Sequence, residues 1–341
     1  MTTRNQASDE LIIGGHRIEK GDTKKIELPT VRLYTDTNMA IPIFVKRGKK
    51  PGPTLFVSGA IHGDELNGIE IISRLINSKT INPLKGTLIA VPIVNAFGVL
   101  NQSRYLPDRR DLNRSFPGSA KGSLAGRIAH LFMQEVVVKC DYGIDLHTGA
   151  IHRSNLPQIR ANLDDPLTLG MAEAFGVPVL INSNLRDGSL RQCADEHGIH
   201  MLLYEAGQAL RFDELSIKAG VKGVTNVMRH LKMLPKLKPR KKPFQPFVAT
   251  ESKWVRASDS GFVIHKKELG DHVKENEVLA EIKKPLGDVS AQILSTADGI
   301  IIGKQNIPLV QEGEAVYHIA YFQKPGRVEA SIEQMQETYD E

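Results

Sequence analysis

The sequence predicts an α/β fold: a mixed, mostly parallel sheet flanked by helices, joined to a small C-terminal all-β domain of barrel-sandwich type. Three features of the 341-residue chain predict it. From residue 54 to about 234, short apolar runs alternate with longer stretches of helical periodicity, the pattern of strands linked by crossover helices. Several of these runs end in a reactive side chain followed by a glycine turn. After residue 243 the helical periodicity stops, and short apolar runs follow one another between Gly and charged turns.

The elements read in order as follows. Residues 1–25 are polar and read as a loose segment. Residues 26–34 and 40–46 read as a β-hairpin, and Pro51-Gly-Pro53 punctuates the chain before the first central strand, 54–58. A helix over 65–78 carries Leu66, Ile69, Ile72, Leu75 and Ile76 at helical spacing. Strand 87–93, helix 123–138, strand 142–146, helix 165–174, strand 200–204 and helix 213–232 complete the alternation. The boundaries drawn from this are a catalytic domain over 26–235, a basic linker over 236–243, a β domain over 244–323 and a tail over 324–341.

The β domain resembles lipoyl and biotinyl domains in its Leu269-Gly-Asp-His-Val273 step and its Glu277-Val-Leu-Ala-Glu-Ile282 strand. Those domains carry a modified lysine at the following hairpin tip. Here the tip is Lys283-Lys-Pro-Leu-Gly-Asp288, with Pro285 in it and no Met-Lys-Met. The domain therefore reads as structural or as an active-site rim, not as a swinging-arm carrier. His265, His272 and His318 read as surface or strand histidines rather than ligands.

Hydrophobic residues at 41% and charged residues at 24% are enough to build a core and place the chain among ordinary globular proteins. Two cysteines, Cys140 and Cys193, exclude a disulfide framework and a thiolate zinc cluster. The N-terminus lacks a signal-peptide core, and no apolar run approaches the ~18 residues of a membrane span. Cytoplasmic location and no membrane partner are the expectation. The net charge is +5, and residues 236–243 hold five cations in eight positions. Without interleaved aromatics, and with prolines marking a linker, this run is not expected to bind nucleic acid. A positive surface would instead help recruit acidic substrates.

The chemistry sits at three strand ends. Val57-Ser-Gly-Ala-Ile-His-Gly-Asp-Glu65 places His62 and Glu65 where a strand gives way to a helix. Ligands usually bind at that edge of an open α/β sheet. Alone, such a His-x-x-Glu pair is more often a favourable charge at a helix N-terminus. Tyr142-Gly-Ile-Asp-Leu-His-Thr-Gly149 ends in His147, and His200-Met-Leu-Leu-Tyr-Glu-Ala-Gly207 ends in Glu205. His62, Glu65 and His147 make a His2Glu set that suits one Zn2+ per chain, with a position open for water. Glu205 is the candidate general base, and Asp145 can orient His147 from behind. Singly, Glu205 could cap a helix and His147 could be a hydrogen-bonded core histidine; their agreement in position argues against coincidence.

Residues 103–114 hold four arginines, at 104, 109, 110 and 114. Asn113 and Arg114 precede Ser-Phe-Pro-Gly, a turn signal that would pin them in a loop. An arginine fork recognises a carboxylate through two parallel bonds, and Asn adds a donor. Arg109 and Arg110 can instead pair with Asp108 and Asp111. Arg186 and Arg191 are candidates for a further substrate-facing arginine, with an exposed loop charge the better reading for both.

Four ordered motifs give a resemblance. His-Gly-Asp-Glu at 62–65, Asp-Leu-Asn-Arg-Ser-Phe-Pro-Gly at 111–118, Asp-Leu-His-Thr at 145–148 and Glu-Ala-Gly at 205–207 resemble the succinylglutamate desuccinylase/aspartoacylase family of the zinc carboxypeptidase-like superfamily. The similarity runs from about residue 30 to 322. It implies that His62, Glu65 and His147 bind zinc and that Glu205 is the acid/base. It implies a substrate carboxylate on Asn113 and Arg114, and an oxyanion held by an upstream arginine. Arg104 is assigned that last role, with Arg109 and Arg110 as competitors. It also implies that the C-terminal domain narrows access to the zinc cleft.

The expected function is zinc-dependent hydrolysis of the amide bond of an N-acyl amino acid or related small amide. A metallocarboxypeptidase acting on a short acidic peptide is the enzymatic alternative. An inactive binding or scaffold protein on the same fold is the alternative of another class. A homo-oligomer is possible in each case.

Overall fold

The computed structural model describes residues 10–183, 187–237 and 244–340. Its spine is a mixed sheet of thirteen strands. The four central strands, in the order Lys85–Val91, Lys50–Gly59, Tyr142–Gly149 and His200–Gln208, are all parallel. Antiparallel strands extend both sides: Asn38–Arg47 and Thr23–Arg32 beyond one, Arg153–Ala161 beyond the other.

Side chains alternate across each strand, so a strand inside a doubly covered sheet needs apolar residues on both faces. Leu55 and Val57 point to one core with Ile71, Ile72 and Leu75 of the helix Asn67–Asn77 and with Val224 and Val227 of the helix Glu214–His230. Phe56, between them, points to the other core with Ile128 and Phe132 of the helix Leu124–Glu135. Each buried Leu or Ile contributes ~1.5–3 kcal/mol. Polar caps start the helices: Ser123 accepts from the Gly126 amide, Asp165 from Thr168, and Asp213 from Ser216.

Several elements differ from the sequence expectation. Residues 10–25, expected to be loose, hold the antiparallel pair Leu11–Ile13 and His16–Ile18 and the start of strand Thr23–Arg32, because Ile13 and Ile18 are fully buried in the second core. Residues 153–161, given no element, form a strand that buries Leu156, Ile159 and Ala161 in the cores and presents Asn155, Gln158 and Arg160 on the face it shares with Glu205. The tail carries the helix Pro325–Asp340, which buries Val328, Ile332 and Met335. Nearly all of the basic run lies at 238–243, outside the described residues.

The C-terminal strands divide between two sheets. Val289–Leu294, Val278–Lys283, Gly261–His265 and Leu309–Val310 make a separate antiparallel sheet. Gly299–Gln305, Ala315–Tyr321 and Glu251–Arg256 instead continue the main sheet, with Gly299–Gln305 paired antiparallel to Arg153–Ala161. Phe247–Ala249 makes a second junction, parallel to Val179–Asn182, which itself flanks Arg153–Ala161. Among the described residues, no helix is long and apolar enough to cross a membrane.

Candidate active site

The carboxyl ends of three adjacent parallel strands meet at one cavity of about 260 Å3. Lys50–Gly59 delivers His62 and Glu65 through a tight turn. Ala60 takes a positive φ of 47° there, a conformation that side chains rarely adopt and that clusters at functional sites. Gly63 has to be glycine: a Cβ on it would lie 1.8 Å from the backbone carbon of Gly98. Tyr142–Gly149 delivers His147, and His200–Gln208 delivers Glu205 directly opposite His147 in register. Ladder partners share a face of the sheet, so both side chains enter the same space. Asn67 ties the start of the first helix to the far loop, donating to the Ala206 carbonyl at 3.1 Å and accepting from the Asp213 amide at 3.1 Å.

His62, Glu65 and His147 are buried, and their ligand atoms lie within 4.8 Å of one another. Nδ1 of His62 is 2.7 Å from Glu65 Oε1, and Nδ1 of His147 is 2.8 Å from Oε2. Each ring turns its outer nitrogen to an aspartate. Asp145 Oδ2 lies 2.6 Å from Nε2 of His147 and accepts from Ser58 Oγ on its other oxygen at 2.7 Å. Asp111 Oδ1 lies 3.2 Å from Nε2 of His62. Burial opposes the charge of Asp111, but the His62 bond and Arg104 hold its carboxyl well below the usual carboxylate range. An ionised Asp111 fixes the Nε2–H tautomer, leaving Nδ1 as a lone-pair donor facing Glu65. Two imidazole nitrogens, each backed by a carboxylate, and a carboxylate that accepts from the Thr148 amide at 3.1 Å make a donor set that fits a divalent metal such as zinc.

Glu205 accepts a hydrogen bond from Asn155 Nδ2 at 2.8 Å. Burial pushes its carboxyl above the ordinary carboxylate value, partly opposed by Arg160 and His147. A raised carboxyl is suited to carrying a proton between two partners.

Arg104 donates twice to Asp111 Oδ2, at 3.1 and 2.8 Å, and its Nη1 lies 3.2 Å from His62 Nδ1 and 3.4 Å from Glu65 Oε1. Its competitors Arg109 and Arg110 are exposed and do not line the cavity. Asn113 and Arg114 do line it, with Asn113 Oδ1 accepting from the Leu190 amide at 2.9 Å. Arg191, favoured above as an exposed loop charge, is buried on the helix Leu190–Glu196, donates to Ser183 Oγ at 3.1 Å and lines the cavity. That is a correction: the Ser189 cap starts a helix in what looked like a loop. Arg186 lies outside the described residues.

Sequence reasoning missed four contributors: Asp111 as the partner of His62, Asn155 as the partner of Glu205, and Arg160 and Trp254 as cavity walls. The Asp111–Asn113–Arg114 spacing inside one motif was the available signal for the first. The others depend on strand pairings that no local pattern announces. Outside the inner cavity a wider one, of about 990 Å3, shares Arg104, Ala150 and Arg153 with it. Tyr105 and Ile151 line it together with Phe262 and Leu309 of the C-terminal sheet. His265 and His272 stand apart from the metal cluster, and His318 is a buried strand residue behind Trp254.

A family model, the succinylglutamate desuccinylase/aspartoacylase catalytic domain, matches residues 51–231. A curated relative from Halomonas elongata, N-alpha-acetyl-L-2,4-diaminobutyric acid deacetylase, is 27% identical over 295 residues, 82% of this chain and 85% of that protein. A succinylglutamate desuccinylase/aspartoacylase structure from Rhodobacter sphaeroides superposes with a TM-score of 0.78 at 25% identity, covering 88% of this chain and 96% of the other. The product-bound ectoine utilization protein EutE (DoeB) from Ruegeria pomeroyi superposes with a TM-score of 0.79 at 22% identity, covering 94% and 98%.

Proposed function

The chain belongs to the succinylglutamate desuccinylase/aspartoacylase family, and on that premise we propose that it is a zinc-dependent deacylase that hydrolyses the amide bond of a small N-acyl amino acid. One observation carries the reading. The buried His62–Glu65–His147 cluster opens into the same small cavity as Glu205, and that cavity is walled by arginines at 104, 114, 153, 160 and 191. The Halomonas elongata relative is named for the deacetylation of an N-acetyl amino acid, which supports the same class.

His62, Glu65 and His147 would hold the zinc, which when bound acidifies water and polarises a carbonyl. The remaining work falls to the side chains. Asn113 and Arg114 receive the carboxylate of the amino-acid half, with Arg191 beside them. Arg104, next to His62 and Glu65, meets the negative charge that develops on the carbonyl oxygen. Glu205 takes a proton from the attacking water, whose oxygen bonds to the carbonyl carbon. The C–N bond then breaks, and the leaving nitrogen takes that proton from Glu205. One water is consumed; its second proton leaves the new carboxyl for the amine, and a carboxylate and an ammonium are released. Asn155 keeps the Glu205 carboxylate aimed throughout.

The volume of the inner cavity and the Trp254 wall from the C-terminal region support a small amide over a peptide C-terminus. The deciding experiment is metal analysis of purified protein with a hydrolysis screen of N-acetyl, N-formyl and N-succinyl amino acids and short acidic peptides. About one zinc per chain with amine release from an acyl amino acid is expected. Cleavage of peptides alone would move the function to a carboxypeptidase. No bound metal, and no activity on zinc addition, would overturn the enzyme reading in favour of a scaffold.

A further inference from the structure

Trp254 is the sole tryptophan in the chain, and it reaches the catalytic cavity from the C-terminal strands. Its path follows one register row. Trp254 lies opposite His318, His318 opposite Gly303, and Gly303 opposite Asn155, the residue that donates to Glu205. Gly303 is the permissive step. A Cβ built on it would sit 3.0 Å from His318 Cβ, 3.2 Å from Asn155 Oδ1 and 3.6 Å from Trp254 Cη2. A Cβ at 303 would crowd His318 and Asn155 and touch the indole tip, so the glycine lets the ring lie close above the strand that carries Asn155.

The ring is also held. His318 stacks on it with centroids 4.6 Å apart and planes 9° from parallel. The Arg153 guanidinium lies over it at 5.1 Å, a cation–π contact. His318 in turn faces Arg160 Nη2 at 3.5 Å. A large side chain fixed by its neighbours makes a wall that cannot yield without losing these contacts.

The geometry points to Trp254 as the residue that sets the size limit on the acyl group. The inference rests on the deacylase reading. Asn113, whose Oδ1 is held by the Leu190 amide, and Arg114 next to it take the carboxylate of the amino-acid half; Trp254 sits on the strand row of Asn155, next to Glu205, and so bounds the other half, the acyl group. A short acyl chain fits against the indole, and a longer one collides with it.

The test compares wild type with Trp254→Ala and Trp254→Phe on N-acetyl, N-butyryl and N-hexanoyl forms of one amino acid that the wild type deacetylates. Wild type is expected to prefer acetyl to hexanoyl by at least a hundredfold in kcat/KM. Trp254→Ala should narrow that ratio at least tenfold. Trp254→Phe, which keeps a ring on His318, should fall between. Equal length profiles, or a wild type with no preference for short chains, would overturn the inference. If no substrate is turned over, the deacylase reading fails, and Trp254 is read separately by calorimetry with acetate, butyrate and hexanoate on the zinc-loaded proteins. Hexanoate should gain at least tenfold over acetate in Trp254→Ala. An unchanged ratio, or no binding to either protein, would overturn the assignment.

Discussion

Asp145 holds His147 from behind: its Oδ2 lies 2.6 Å from Nε2, on the side of the ring away from Glu65. Ser58 fixes the other oxygen of the same carboxylate. Asp145→Asn keeps the shape and removes the charge. Zinc affinity should fall ~10–100-fold, measured by competition with a chromogenic chelator. An affinity equal to wild type would show that the Asp145 charge does not tune the site.

Glu205→Gln should lower kcat by ~10^2–10^4-fold, the usual contribution of a placed acid/base, while zinc content stays at the wild-type level. Because burial raises the Glu205 carboxyl above its ordinary value of 4.5, kcat/KM of the wild type should begin to fall on acidification at a pH above 4.5. The loss goes toward acid because the base must be ionised to take the proton. A pH profile flat down to 4.5 would contradict the assignment.

Asn113 separates folding from binding. Its Oδ1 accepts from the buried Leu190 amide, so Asn113→Ala should cost ~1–3 kcal/mol by leaving that donor unpaired. Asn113→Asp keeps the acceptor and should melt like wild type. It adds an anion where a substrate carboxylate is expected, so KM should rise at least about tenfold with a smaller change in kcat. An unchanged KM would remove Asn113 from the carboxylate site.

His318 makes folding sensitive to acid. Burial, aided by Arg160, lowers its pKa from 6.5 to about 3. Between those values the unfolded chain binds the proton and the folded chain does not. Stability contributed by the neutral ring is therefore complete above pH 6.5 and declines as pH falls toward 3, by up to ~1.4 kcal/mol per pH unit. His318→Gln, which keeps an acceptor for Arg160, should flatten the urea-midpoint curve between pH 4 and 7. Parallel curves for the two proteins would refute this.

What could be read from sequence follows from how local each signal is. The residues His62, His147 and Glu205 each end a short apolar run before a glycine turn, and the parallel strands bring those ends together in one cavity. The strand Arg153–Ala161 was not legible because a register irregularity breaks its alternation and the positions that face the site hold Asn155, Gln158 and Arg160, which line the cavity or are buried beside it. An apolar-in pattern fails where the inside is a polar site. Arg191 was misread for the same reason, since a buried arginine looks in sequence like a solvated one. Trp254 could not be placed at all, because its position depends on pairings between strands about 150 residues apart.

The junction between Arg153–Ala161 and Gly299–Gln305 makes the two halves of the molecule one inheritance. A chain ending before residue 244 would leave Arg153–Asn155 with bare amides and carbonyls along the edge next to Asn155, inviting strand addition from another molecule. It would also lose the wall at Trp254. Swapping C-terminal segments between relatives would therefore exchange substrate choice and edge protection in a single event, and only segments matched to Gly303 and Asn155 would take.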